Sequence, residues 1–63
     1  MSTTSARLSI FADHLDTYRQ QTAELLPLHA GDDRDDVHRA LVEAERALRN
    51  AERQLRRAAR LAE

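Results

Sequence analysis

Arginine recurs every seventh residue in the second half of the chain, at Arg39, Arg46, Arg53 and Arg60, and Arg49 and Arg56 follow three residues after Arg46 and Arg53. On a helix, seven residues return to nearly the same face, about 10.5 Å further along the axis. Guanidinium groups at that interval form a basic rail suited to a phosphate backbone. The same positions also suit a solvated face. Glu45 and Arg49, and Glu52 and Arg56, are i,i+4 pairs in the favourable order, each contributing about 0.2–0.5 kcal/mol to a helix. No aromatic residue interleaves with the arginines, and the formal net charge is −1. A solvated or partner-binding face is therefore favoured, with nucleic-acid binding as the alternative.

A second group of chemically able residues lies mid-chain: His29, Asp32, Asp33, Asp35, Asp36 and His38. Imidazole and carboxylate together suit zinc and related ions when they converge within bonding distance. The spacing here fits neither a calcium-binding loop nor a His-Glu-x-x-His helix. Capping and helix-dipole complementation explain the aspartates without a metal, so no metal or other cofactor is expected. His14 is expected at the edge of an apolar seam, and Tyr18 within that seam with its hydroxyl reaching a polar rim. Thr22 is a polar break that helps to set register. No Ser, His and acid group falls on one helical face, and an alanine-rich bundle offers little concave volume. Catalysis is therefore not expected.

The elements that carry these residues are helical. Alanine, leucine, arginine and glutamate dominate, and the 63 residues include one glycine, one proline and no cysteine. That composition favours long helices over sheets and leaves disulfides out. All ten basic residues are arginine, which points to the codon usage of a G+C-rich, bacterial genome. The start of the chain has no long apolar core, and no stretch approaches the roughly 20 apolar residues of a membrane span. A cytoplasmic location is expected, with no stable membrane insertion.

Two heptad runs stand out. Leu8, Phe11, Leu15, Tyr18, Thr22 and Leu25 are spaced 3, 4, 3, 4, 3. Val37, Leu41, Ala44, Leu48, Ala51, Leu55, Ala58 and Ala62 are spaced 4, 3, 4, 3, 4, 3, 4. Each is a coiled-coil-like seam. Ser2, Thr3, Thr4 and Ser5 offer capping hydroxyls. Pro27 weakens the first run, and Gly31 is placed for a left-handed C-terminal cap. Asp32 or Asp33 can cap the second helix. Charge follows the same division. The segment 32–36, DDRDD, has net charge −3, and residues 37–63 carry seven arginines against four glutamates, net +3.

These elements predict one all-α domain over residues 1–63. Helix 1 covers about 4–29, a turn about 30–33, and helix 2 about 34–62. Together they form an antiparallel hairpin with heptad seams. The apolar stripe is wider than one seam, because Ala40, Ala47 and Leu61 flank it on helix 2 and Ala12, Leu26 and Leu28 on helix 1. At about 25 cal/mol per Å² that surplus favours a second copy and a two-fold four-helix bundle. The layout resembles the dimeric hairpins of the plasmid repressor-of-primer family, which implies a dimer and an RNA-binding helix face. Here the outer face of helix 1 carries Asp13, Asp16, Gln20 and Glu24, which repel phosphate. Secreted hairpins of type VII systems have a Trp-x-Gly turn, where this chain has LHAG. The expected role is a small homodimeric interaction, adaptor or regulatory module whose further partner is another protein. The alternative is a nucleic-acid-binding regulator that uses the arginine face.

Overall fold

A computed structural model describes residues 2–29, 31 and 35–63. Two helices of equal length make up the described chain: α1, Thr3–His29, and α2, Asp35–Leu61. They lie antiparallel in a hairpin with Cα extents of 48 × 13 × 9 Å. No strand occurs among the described residues.

The ends of α1 follow local chemistry. The Ser2 hydroxyl accepts a hydrogen bond from the Ser5 N–H at 3.0 Å, the geometry of an N-cap. At the other end the helix runs through Pro27 to His29. Gly31 has φ of +79°, the left-handed conformation that terminates helices and that a side chain would strain. In α2, Asp35 and Asp36 occupy the first turn and Arg60 the last, each complementing the helix dipole. Asp32 and Asp33, the expected caps of α2, lie outside the described residues.

Two serines at the start of α1 tie the helices together. The Ser2 hydroxyl donates to the Ala62 carbonyl at 2.7 Å, and the buried Ser5 hydroxyl donates to the Ala59 carbonyl at 2.8 Å. The last carbonyls of a helix have no partner within it, so these hydroxyls satisfy groups that would otherwise need water. A buried bond of this kind contributes about 0.5–1.5 kcal/mol net.

The contact surface of α1 is the line Ser2, Ser5, Ser9, Ala12, Asp16, Arg19, Ala23 and Leu26, all buried or half-buried. That of α2 is His38, Leu41, Glu45, Leu48, Glu52, Leu55, Ala59 and Ala62, also buried or half-buried. This corrects the seam expected from the sequence. On α1 the observed line from Ser9 to Leu26 is shifted by one residue from Leu8, Phe11, Leu15, Tyr18, Thr22 and Leu25. Phe11, Tyr18 and Leu25 are 44%, 55% and 44% exposed, while Leu8, Leu15 and Thr22 flank the contact half-buried. On α2, Leu41, Leu48 and Leu55 do lie in the contact. Val37, Ala51 and Ala58 flank it half-buried, and Ala44 is exposed. The physical reason is size. Serine and alanine let the two backbones approach, whereas phenylalanine and tyrosine on the same line would hold them apart.

Ala12 is fully buried where the helices are in contact. Ala12→Leu should overpack the contact and lower stability by about 1–3 kcal/mol in thermal or chemical denaturation. Gln21→Leu, at an exposed position of the same helix, should change stability by no more than about 0.5 kcal/mol. Equal losses at both positions would show that the small-residue line is not the contact.

Candidate interaction faces

The rotation of the helices gives the hairpin two unlike broad sides. On one side, α1 contributes Leu8, Leu15 and Thr22 next to the contact and Phe11, Tyr18 and Leu25 beyond it. Here α2 contributes Val37, Ala44, Ala51 and Ala58 next to the contact and Ala40, Ala47, Gln54 and Leu61 beyond it. None of these positions carries a charge. Bulky side chains belong mainly to α1 and small ones to α2. The Thr22 hydroxyl donates to the Tyr18 carbonyl at 2.8 Å, which keeps its polarity within α1 and leaves its methyl group for the face. Ile10 and Leu28, also exposed at 52% and 71%, lie off this side.

The opposite side is polar. Arg56 reaches across the hairpin to Asp13 at 3.1 Å, and the lines beyond carry Glu24 on α1 and the arginines of α2. All six expected arginines belong to α2. Arg39, Arg46, Arg49, Arg53 and Arg60 are exposed and Arg56 is half-buried. Both expected i,i+4 pairs form, with Arg49 to Glu45 at 2.6 Å and Arg56 to Glu52 at 3.0 Å. Arg46 pairs with Glu43 at 3.3 Å, and Arg53 donates to the Asn50 side chain at 2.8 Å. Among the described residues of α2, Arg39, Arg53, Arg57 and Arg60 have no carboxylate partner. An open groove on this side is lined by Arg49, Glu52, Arg53, Arg56 and Arg60.

Between the two sides, at mid-length, the contact itself is ionic. Arg19 lies 2.9 Å from Asp16 on its own helix, 3.6 Å from Glu45 and 3.9 Å from Glu52 across the contact. The two glutamate side chains are only 16% and 18% exposed. Glu45 and Glu52 in turn hold Arg49 and Arg56, so one chain of charges runs from Asp16 to Asp13 through both helices. The hydrogen bond from Arg19 holds the Asp16 carboxyl below its ordinary value. The nearby charge of Arg19 and a bond from Gln20 act in the same sense, against partial burial. The hydrogen bond to Asp16 raises Arg19. Bonds to Glu52 and then Asp13 raise Arg56.

Sequence patterning missed this ionic group and the serine clasp. The available signal was a line of small residues, Ser2, Ser5, Ser9 and Ala12, with heptad spacing of its own and Arg19 one heptad after Ala12. The turn cluster is placed only in part. Asp32 and Asp33 lie outside the described residues, Asp35 and Asp36 are exposed, and His29 and His38 are half-buried. Among the described residues no three His, Cys, Asp or Glu side chains are grouped to hold a metal ion. His14, expected at the seam edge, is exposed. No described helix is long and apolar enough to cross a membrane.

The lowered Asp16 value gives a pH dependence with a definite sign. The folded state favours the ionised carboxylate, so its stabilisation is complete above the ordinary aspartate range. It is lost as pH falls through the lowered native value. Melting temperature followed by circular dichroism should therefore fall below about pH 4, and fall less steeply for Asp16→Asn than for the parent. An unchanged acid limb in that variant would remove Asp16 from the contact's electrostatics.

No protein-family model, curated protein sequence or solved structure matches this chain.

Proposed function

We propose that the protein is a homodimeric helical-hairpin module for protein–protein interaction, an adaptor or regulator without catalysis, built by two hairpins meeting through their uncharged sides. One observation carries this reading. The only buried residues among those described are Ser5, Ala12 and Ala59, so none of their large apolar side chains is buried within the single chain. Ordering backbone costs about 1–2 kcal/mol per residue, and hydrophobic burial is the main term that offsets it. A hairpin whose phenylalanine and tyrosine are exposed, and whose contact leucines are only half-buried, is short of that term. Covering the uncharged side supplies it.

A second copy suits this side because the side is complementary to itself. Its α1 half is bulky and its α2 half is small, so a two-fold axis along the helices sets large side chains against alanines. A standard protein contact takes about 800 Å² from each partner, about one sixth of the 4725 Å² accessible surface. A face running along a hairpin 48 Å long has room for that. The polar side, with its arginines, stays outward in such a dimer and is available to a further protein partner.

Sedimentation equilibrium at micromolar concentration should give a dimer mass. Phe11→Asp should weaken dimerisation at least about 100-fold, since two buried rings are worth about 1.5–3 kcal/mol each. Ile10→Asp, one residue away but off the apolar side, should leave it nearly unchanged. A cooperatively folded monomer, or equal loss in both variants, would overturn the dimer.

A second reading rests on Arg39, Arg53, Arg57 and Arg60, which have no carboxylate partner among the described residues. Unneutralised guanidinium groups on an exposed helix can contact phosphate. The glutamates that hold Arg46, Arg49 and Arg56 oppose this. Binding to mixed DNA and RNA should accordingly be weak at physiological salt. Submicromolar, salt-sensitive binding abolished by Arg53→Gln with Arg60→Gln would make the protein a nucleic-acid regulator instead.

A further inference from the structure

The proposed dimer has two possible symmetric forms, and the side chains distinguish them. In one, the two-fold axis runs along the helices. Both turns then lie at the same end, and α1 of each copy packs on α2 of the other. In the second, the axis crosses the helices. The turns then lie at opposite ends, with α1 packed on α1 and α2 on α2.

Taking the dimer as given, we infer that the axis runs along the helices and that the turns share one end. The hairpin's own bonds set the levels. Ser2 faces Ala62, Ser5 faces Ala59, and Arg19 faces Glu45. An axis along the helices preserves these levels between copies. Phe11 then comes level with Ala51 and Gln54 of the other copy, Tyr18 with Ala44 and Ala47, and Leu25 with Ala40. Each bulky side chain meets a gap left by a small one, and the two α1–α2 contacts between copies are identical by symmetry. The four helices stand at even spacing.

The crossed arrangement sets the Phe11 and Tyr18 half of one face on the same half of the other, and alanine on alanine beside it. Bulky contacts hold helices at the wide end of the 8–10 Å range and alanine contacts at the narrow end. One rigid pair of hairpins cannot satisfy both without tilting and opening a gap. The shared-end arrangement brings Asp35 and Asp36 of the two copies, all exposed, to the same end. That repulsion acts between solvated charges and is screened over about 8–10 Å at moderate ionic strength, so packing decides the form.

Spin-label distances test this on the full chain. The sequence has no cysteine, so Arg7→Cys, His14→Cys and Leu28→Cys each introduce a single thiol. All three positions are exposed, off the apolar side, and spaced by multiples of seven along one line of α1. With the axis along the helices, the distance between copies is independent of position. The three values should agree within about 5 Å, because the axial rise cancels. With the crossed axis, the labels at Arg7 and Leu28 should be more than about 15 Å further apart than those at His14. That result would overturn the shared-end form while keeping the dimer. Sedimentation of the same labelled chains as monomers would instead remove the dimer and this inference with it.

Discussion

The close contact between the small-residue line of α1 and the end of α2 sets everything else in this hairpin. Ser2 and Ser5 reach the Ala62 and Ala59 carbonyls only because serine and alanine let the backbones come near. That approach fixes the rotation of each helix about its axis. Once Ser5, Ser9 and Ala12 face inward, helical geometry turns Phe11, Tyr18 and Leu25 to one side and Asp13 to the other. The two unlike sides of the hairpin are thus a consequence of where its smallest side chains lie.

Electrostatics reinforces the same rotation at mid-length. Arg19 sits in the contact line one heptad after Ala12, among Asp16, Glu45 and Glu52. Half-buried charges are costly unless paired, so a rotation that moved Arg19 out of reach would leave the two glutamates of α2 poorly compensated. The ionic group supplies specificity of alignment more than raw stability. It also explains why much of α2's arginine is occupied: Arg49 and Arg56 serve the same glutamates from outside. The basic face that stands out in the sequence is, in the fold, partly the outer layer of a charge network that begins inside the contact.

A fold arranged this way leaves its hydrophobic material on the surface. Among the described residues the single chain buries two alanines and a serine, which is what one layer of a larger bundle looks like when separated from its second layer. The proposed dimer follows from that imbalance. The shared-end form adds only the shapes of the side chains on each half of the face.

The sequence by itself determined the two helices, the left-handed Gly31 and the local pairs Glu45–Arg49 and Glu52–Arg56, because capping, propensity and i,i+4 contacts act within a few residues. It did not determine which heptad line faces the other helix. On α1 two such lines run side by side, Leu8–Phe11–Leu15–Tyr18 and Ser9–Ala12–Asp16–Arg19, one residue apart with the same repeat. Hydrophobicity singles out the first. The fold uses the second, since the choice depends on groups more than forty residues away in the chain, the carbonyls of Ala59 and Ala62 for the serines, and on Glu45 and Glu52 for Arg19. Periodicity reports that a helix has a face. Only the packed partner, through the closeness its own side chains allow, decides which face is turned inward.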